Sequence, residues 1–167
     1  MKRSHALTVA FALTVFAFPA LAQETKAGDL TIQRPWARAT PKGADIGAGY
    51  LEIRNAGAAP DRLTGGSADF ASGVEVHEMK MDNGVMKMRL VQGGLEIPAH
   101  GTVKLAPSGY HLMFTGLKRP LVKGETIKAT LTFEHAGPVA VDFPVQGIGA
   151  AGPAASPKSD SMKGMKM

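Results

Sequence analysis

Residues 77–90 have the sequence HEMKMDNGVMKMRL, in which apolar and charged side chains alternate on both sides of an Asn-Gly pair. Asn-Gly is typical of the two-residue type I′ turn of a β-hairpin, because both residues tolerate a positive φ there. With Asn83 and Gly84 as the turn, the predicted cross-strand pairs are Asp82 with Val85, Met81 with Met86, Met79 with Met88, and His77 with Leu90. One face of this hairpin then carries His77 and the methionines, and the opposite face carries the charged residues.

The segments on either side of the hairpin are also short and alternating. Glycine (20 residues) and proline (11 residues) interrupt the chain at short intervals, which is typical of antiparallel β proteins. The predicted strands are Leu30–Gln33, Gly49–Arg54, Val74–Met81, Val85–Val91, Thr102–Leu105, Tyr110–Thr115, Thr126–Glu134 and Val139–Val145. Short strands at this spacing predict an all-β Greek-key sandwich or barrel.

Composition divides the chain into three segments. Residues 1–22 have a basic start, an apolar run and a small-x-small sequence at residues 20–22, which together predict a cleavable signal peptide. The apolar run is shorter than the roughly 20 residues that cross a bilayer. Residues 23–146 are predicted to form one β domain, and residues 147–167, rich in Met and Lys, a disordered tail. We therefore expect a periplasmic protein without a membrane-spanning segment.

The charged residues and the absence of cysteine exclude several classes of function. The formal net charge is +5, but the positive residues are scattered and have no aromatic platform among them, so a nucleic-acid partner is not expected. The sequence offers no nucleophile elbow, no cysteine and histidine pair and no carboxylate dyad, so we expect no enzymatic activity.

A second stretch, His111-Leu112-Met113, carries the other half of a candidate metal site. Alternation puts His111 and Met113 on one face of a strand, about 6.6 Å apart, while Leu112 turns into the core. If this strand lies beside the hairpin, one ion is within reach of the four predicted ligands, which are His77, Met88, His111 and Met113. Thioether sulfur is a soft ligand and imidazole binds copper in either oxidation state, so this set favours Cu(I). Thioethers also suit an oxidising compartment, because they form no disulfides.

Other interpretations of the same residues remain open at this stage. Methionine at every second position of a hairpin is often core filler, and Met79, Met81 and Met86 are predicted to pack rather than to bind. A structural β domain with a methionine-rich core is therefore one alternative. A blue-copper electron carrier is a second, but its site needs a cysteine, which this sequence lacks. Trp36 and Tyr110 are candidates for the surroundings of the site.

The sequence resembles a known family, the periplasmic copper chaperones called PCu(A)C, from about Asp29 to Val145. The stretches that carry the resemblance are Pro35-Trp36-Ala37-Arg38-Ala39, Gly49-Tyr50-Leu51, Asp61-Arg62-Leu63, His77-Glu78-Met79 to Met88-Arg89, Gly109-Tyr110-His111-Leu112-Met113 and Gly116-Leu117-Lys118-Arg119-Pro120. The copper motif of that family is a histidine, ten residues, a methionine, twenty-one residues and then His-x-Met. His77 and Met88 match the first interval, whereas the interval from Met88 to His111 has twenty-two residues, one more than usual. We place the extra residue at the Gly93-Gly94 turn, because loops tolerate insertions.

The resemblance implies a cupredoxin-like β-sandwich that holds Cu(I) near its surface. It implies delivery of copper to the Cu(A) centre of cytochrome c oxidase subunit II, or to a second copper chaperone. The alternative is a periplasmic protein of copper sequestration or homeostasis without a dedicated oxidase acceptor. We expect a monomer, and Cu(II) is a further candidate cargo. Met162, Met165 and Met167 of the tail are either a second, weaker copper site or part of a solubilising extension.

Overall fold

The computed structural model describes residues 24–154, which form eleven β-strands and no helix. The strands are β1 Glu24–Ala27, β2 Leu30–Arg38, β3 Ile46–Asn55, β4 Asp61–Ser67, β5 Gly73–Asp82, β6 Val85–Leu90, β7 Leu95–Ile97, β8 Thr102–Leu105, β9 Tyr110–Thr115, β10 Thr126–Phe133 and β11 Gly137–Gln146. All eight predicted strands are present. The sequence pattern missed β1, β4 and β7, and it ended β2 too early.

Seven of the strands close into a barrel. Their order is β2-β11-β10-β4-β5-β9-β3, and β3 returns to pair with β2. β11 and β2 pair in parallel, and the other neighbours in the barrel are antiparallel. The remaining strands β1, β6, β7 and β8 each pair with one barrel strand, respectively β2, β5, β4 and β3. The predicted all-β class is confirmed.

The interior of the barrel is filled by apolar side chains from every barrel strand. β10 shows the pattern most clearly, since its alternate residues Ile127, Ala129, Leu131 and Phe133 are all buried, as the sequence predicts. On β9, Leu112 and Phe114 are completely buried. Because side chains alternate along a strand, His111 and Met113 of the same strand point away from this core.

The β5–β6 hairpin forms with the predicted register. Met79 lies opposite Met88 and Met81 opposite Met86, and the turn residues Asn83 and Gly84 have φ values of 49° and 78°. A positive φ at both positions is the property that the type I′ turn requires. The hairpin therefore carries its methionines on one face, as the sequence predicts.

β5 passes from the barrel into this hairpin near His77. Its first part pairs with β9, from Gly73 opposite Thr115 to Glu78 opposite Tyr110. Its last part pairs with β6, from His77 to Asp82. The two pairings overlap only at His77 and Glu78, so the outer half of the hairpin extends beyond β9. All six residues of β6 are exposed.

The predicted signal peptide lies outside the described residues, and so do residues 155–167 of the predicted tail. The first residues of that tail, 147–154, are described and have a defined path. The Arg38 guanidinium donates two hydrogen bonds to the Ala150 carbonyl, at 2.6 and 3.1 Å. Between residues 24 and 154, no helix is long and apolar enough to cross a membrane.

Candidate metal centre

Two buried histidines face each other across β5 and β9. His77 is directly opposite His111 in the register, and their ring centroids are 6.0 Å apart. His77 is 8% exposed and His111 6% exposed. Residues that lie directly opposite on neighbouring strands share a face of the sheet, so both rings lie on the side of the sheet away from Leu112 and Phe114. The condition set by the sequence, that β9 lies beside the hairpin strand, is met.

The hydrogen bond of His111 leaves one ring nitrogen available to a metal. Its Nδ1 lies 3.2 Å from the Gly109 carbonyl, which only accepts, so Nδ1 carries the proton. In the neutral ring, Nε2 then has a free lone pair. The Met88 sulfur lies 3.2 Å from this Nε2. A nitrogen lone pair and a thioether sulfur therefore meet at one point beside β9.

His77 is arranged in the complementary way. Its Nε2 lies 2.8 Å from a carboxylate oxygen of Glu75, two residues earlier on the same strand. A carboxylate accepts, so Nε2 donates and the lone pair of the neutral ring is on Nδ1. This Nδ1 is buried and has no hydrogen-bond partner among the described residues. Since buried polar atoms are nearly always paired, an unpaired one suggests a missing ligand.

The two candidate methionines flank the histidines differently. Met113 is half-buried and lies two residues beyond His111 on β9, opposite Glu75 of β5. Met88 is on β6 and is 50% exposed. Met113 thus sits on the sheet face that carries both rings, whereas Met88 approaches from the hairpin. The candidate site is therefore open to solvent on the Met88 side.

Burial also affects the protonation of the site. It lowers the pKa of His111, because removal from water disfavours the charged ring. The bond to the Gly109 carbonyl raises this pKa and the neighbouring His77 lowers it, and the net direction is downward. The ring therefore stays neutral to a lower pH than an ordinary histidine. Neutral imidazole is the form that binds metal ions.

Several residues near the site differ from the sequence-based expectation. Tyr110 lies on the face of β9 that packs against the core, with Leu112, so it does not line the site. Trp36 stacks on Tyr50 at 4.4 Å between ring centroids. Tyr50 lies two residues from Ala48 on β3, and Ala48 is opposite Met113. Trp36 is opposite Tyr50, so it lies on the same face of the sheet as Met113, but on β2, beyond β3.

The sequence analysis missed Glu75 and the Gly109 carbonyl, which orient the two histidines. Glu75 lies two residues before His77, so strand alternation places both side chains on one face, and this spacing is visible in the sequence. Gly109 precedes β9, and only the folded backbone shows that its carbonyl reaches His111. The expectation that Met81 and Met86 pack in the core is wrong, since they are 60% and 46% exposed. They lie on the part of the hairpin that extends beyond β9.

The arrangement offers a soft set of uncharged donors. Two imidazole nitrogens have free lone pairs, and thioether sulfurs lie on the same side of the sheet. Such donors suit Cu(I) better than Mg²⁺ or Ca²⁺, which prefer oxygen ligands. The orientation of each ring by a hydrogen bond to its other nitrogen is the usual environment of a metal-binding histidine.

Comparison with known proteins identifies the relatives of this chain. The family model described as "Putative lipoprotein LpqE-like" matches residues 30–145. The chain is 33% identical over 135 residues to "Putative lipoprotein Lxx21020" of Leifsonia xyli subsp. xyli, a match that covers 80% of each protein.

Solved structures have the same fold. The copper-bound PCuAC domain from PmoF2 is 27% identical to this chain, with a TM-score of 0.63, and the match covers 74% of this chain and 97% of that domain. The Cu(I) form of DR1885 from Deinococcus radiodurans is 30% identical, with a TM-score of 0.54, and the match covers 77% of this chain and 83% of that chain. The fold is thus cupredoxin-like, as predicted. The chain belongs to the LpqE-like family, and the resemblance of its sequence to the PCuAC chaperones is confirmed.

Proposed function

We propose that this protein is an exported copper chaperone that binds Cu(I) through His77, Met88, His111 and Met113. The observation that supports this most directly is the pair of ring nitrogens without hydrogen-bond partners of the usual kind. Among residues 24–154, His77 Nδ1 is buried without a hydrogen-bond partner, and His111 Nε2 lies 3.2 Å from the Met88 sulfur. A soft monovalent cation between these atoms satisfies both nitrogens.

The relatives support copper as the cargo. One structural neighbour is a copper-bound PCuAC domain and another is a Cu(I) form of DR1885. The chemistry of the donors agrees, because thioether sulfur selects Cu(I) over harder ions. In this proposal, copper is the cargo that the protein binds and releases.

The donor set favours transfer over permanent storage. Imidazole and thioether are neutral, so the bound ion keeps its positive charge and remains attractive to anionic thiolates. The exposed Met88 leaves one side of the ion accessible, so an acceptor can replace the ligands one at a time. We propose the Cu(A) centre of cytochrome c oxidase subunit II, or a second copper chaperone, as the acceptor.

An anaerobic Cu(I) titration of the purified protein tests the binding. The first equivalent is expected to bind tightly enough to survive a mild Cu(I) chelator. X-ray absorption at the copper edge is expected to show nitrogen and sulfur neighbours, without the intense visible band of a copper thiolate. The double variant Met88→Leu, Met113→Leu keeps side-chain volume and removes both sulfurs. It is expected to lose copper to the same chelator. Loss of all copper from the unmodified protein under these conditions contradicts the proposal.

Delivery is tested separately by mixing the Cu(I)-loaded protein with the soluble copper domain of subunit II. Transfer is expected to give the purple absorption of the Cu(A) centre once a second copper and an oxidant complete it. If copper stays with the loaded protein while its own binding is intact, the proposal of an oxidase acceptor fails. The protein is then one of copper sequestration or homeostasis.

Removal of the Glu75 carboxylate is expected to weaken copper binding without removing a ligand. Glu75→Ala frees the His77 ring to rotate and to change tautomer, and loss of such an orienting group typically costs about 10-fold to 100-fold in metal affinity. The matched control is Glu78→Ala on the opposite face of the same strand, where the carboxylate lies 3.7 Å from Arg89. The control is expected to leave the affinity unchanged. Equal affinities of both variants, measured by chelator competition, argue against an orienting role for Glu75.

A further inference from the structure

Three methionines of the β5–β6 hairpin lie outside the four-ligand set. Met81 and Met86 are opposite each other in the second pair from the turn, and Met79 is two residues before Met81 on β5. Met81 is 60% exposed, Met86 is 46% exposed and Met79 is half-buried. Their side chains share the face of the hairpin that leads to His77, because directly opposed and alternate residues point the same way.

Packing in the core does not account for Met81 and Met86. A core position needs burial, and Met81 and Met86 are 60% and 46% exposed. Strands are enriched in β-branched and aromatic residues rather than methionine, and an exposed thioether is open to oxidation. The opposite face of the hairpin has the composition usual for a solvated surface, with ion pairs of Lys87 with Asp82 and of Arg89 with Glu78. The methionine face has no charged residue between Met79 and Met88 and carries thioether sulfur instead.

The hairpin places the three sulfurs within reach of one another. Directly opposed side chains start about 4.5 to 5.5 Å apart at Cβ, and diagonal neighbours start about 7 to 8 Å apart. Met79 is the diagonal neighbour of Met86. Each methionine has three rotatable bonds and a polarisable sulfur, so the three can close around one ion from these starting points.

We propose that Met79, Met81 and Met86 form a second, weaker Cu(I) site at the tip of the hairpin. The proposal rests on the function proposed above and adds an initial binding site for the ion. The site is weaker because it has no imidazole, and because ordering three flexible side chains costs conformational entropy. Three thioethers without a charged ligand are selective for a soft monovalent ion.

The second site is continuous with the first. Met79 lies directly opposite Met88, and the Met88 sulfur is 3.2 Å from His111 Nε2. An ion at the tip therefore has thioether sulfur along the whole path to the buried histidines. The ion is captured where the hairpin is most exposed and moves to the site that binds it more tightly.

Methyl NMR of the full chain, labelled with ¹³C at the methionine methyl groups, tests this proposal. Cu(I) is added anaerobically as its acetonitrile complex, and each methionine reports for itself. The methyl groups of Met88 and Met113 are expected to shift with the first equivalent. Those of Met79, Met81 and Met86 are expected to shift with a second equivalent. In the variant Met81→Leu, Met86→Leu, the second step at the hairpin is expected to disappear while the first is unchanged.

The matched control carries the same type of substitution in the C-terminal segment, namely Met162→Leu, Met165→Leu, Met167→Leu. It is expected to keep both steps at the hairpin. No shift of Met79, Met81 and Met86 beyond the first equivalent overturns the second site and leaves the function intact. A second equivalent that is retained by the hairpin variant and lost in the control assigns that ion to the C-terminal segment instead. Absence of any shift at Met88 and Met113 overturns the proposed function itself.

Discussion

Replacing His111 by alanine is expected to reduce the affinity for Cu(I) by more than about 100-fold, since loss of a group that only orients a ligand already costs up to about that much. The substitution removes the Nε2 lone pair that faces Met88 and the ring whose centroid lies 6.0 Å from that of His77. Neither remaining methionine can replace an imidazole in that position. Competition with a Cu(I) chelator of known affinity measures the change.

The design of this experiment separates ligand loss from unfolding. His135→Ala is the matched control, because His135 is exposed and lies between β10 and β11, and it is expected to bind copper as the unmodified protein does. His111 is buried, so the alanine variant is compared by urea unfolding as well. Met113→Leu removes a sulfur at nearly constant volume and is also expected to weaken binding. Full affinity in folded His111→Ala protein contradicts the assignment of this ligand.

Replacing Phe114 by alanine is expected to lower the free energy of unfolding by about 3 to 5 kcal/mol. Phe114 is completely buried and packs edge-on against Phe70, at 5.1 Å between ring centroids, and against Phe143, at 5.9 Å. A side chain at Gly49 would come within 2.9 Å of its ring, so β3 also packs tightly on it. The loss is a large share of the roughly 5 to 15 kcal/mol that stabilises a domain of this kind.

Urea unfolding measures the effect of Phe114→Ala. The control is Val122→Ala at a position that is 57% exposed, where a change of less than about 0.5 kcal/mol is expected. Phe114 is also the neighbour of Met113 on β9, so copper affinity is expected to fall together with stability. A variant as stable as the control shows that the interior does not depend on this ring.

The hairpin shows why part of this structure follows from sequence. Asn83 and Gly84 fix the turn by local backbone preference, and the register of six pairs follows from the turn alone. Strand alternation places His77 and Met88 on one face of the hairpin, and it places His111 and Met113 on one face of β9. These inferences need no knowledge of which strands become neighbours.

β4 shows why other parts could not be predicted. Its residues Asp61–Ser67 include Gly65 and Gly66, and glycine in a strand weakens the alternating pattern. A Cβ at Gly66 would lie 2.3 Å from the Thr130 carbonyl oxygen, so the glycine is required by the close approach of β10. That requirement comes from a strand far away in the sequence.

The direct pairing of His77 with His111 likewise depends on strands that are distant in the sequence. The sequence predicts that both residues leave the core, and it does not fix the order of strands that puts β9 next to β5. The error about Met81 and Met86 has a related cause. A hairpin with an apolar face is expected to pack, and only the end of the pairing between β5 and β9 shows that this one extends into solvent.

β6 has one free edge, because among the described strands it pairs only with β5. An open strand edge next to exposed apolar side chains can pair with a strand of a second molecule, and such pairing leads to aggregation. Lys87 and Arg89 occupy alternate positions along this edge, and bringing two such edges together sets like charges against each other. These charges therefore disfavour association of the protein with itself along the exposed methionine face.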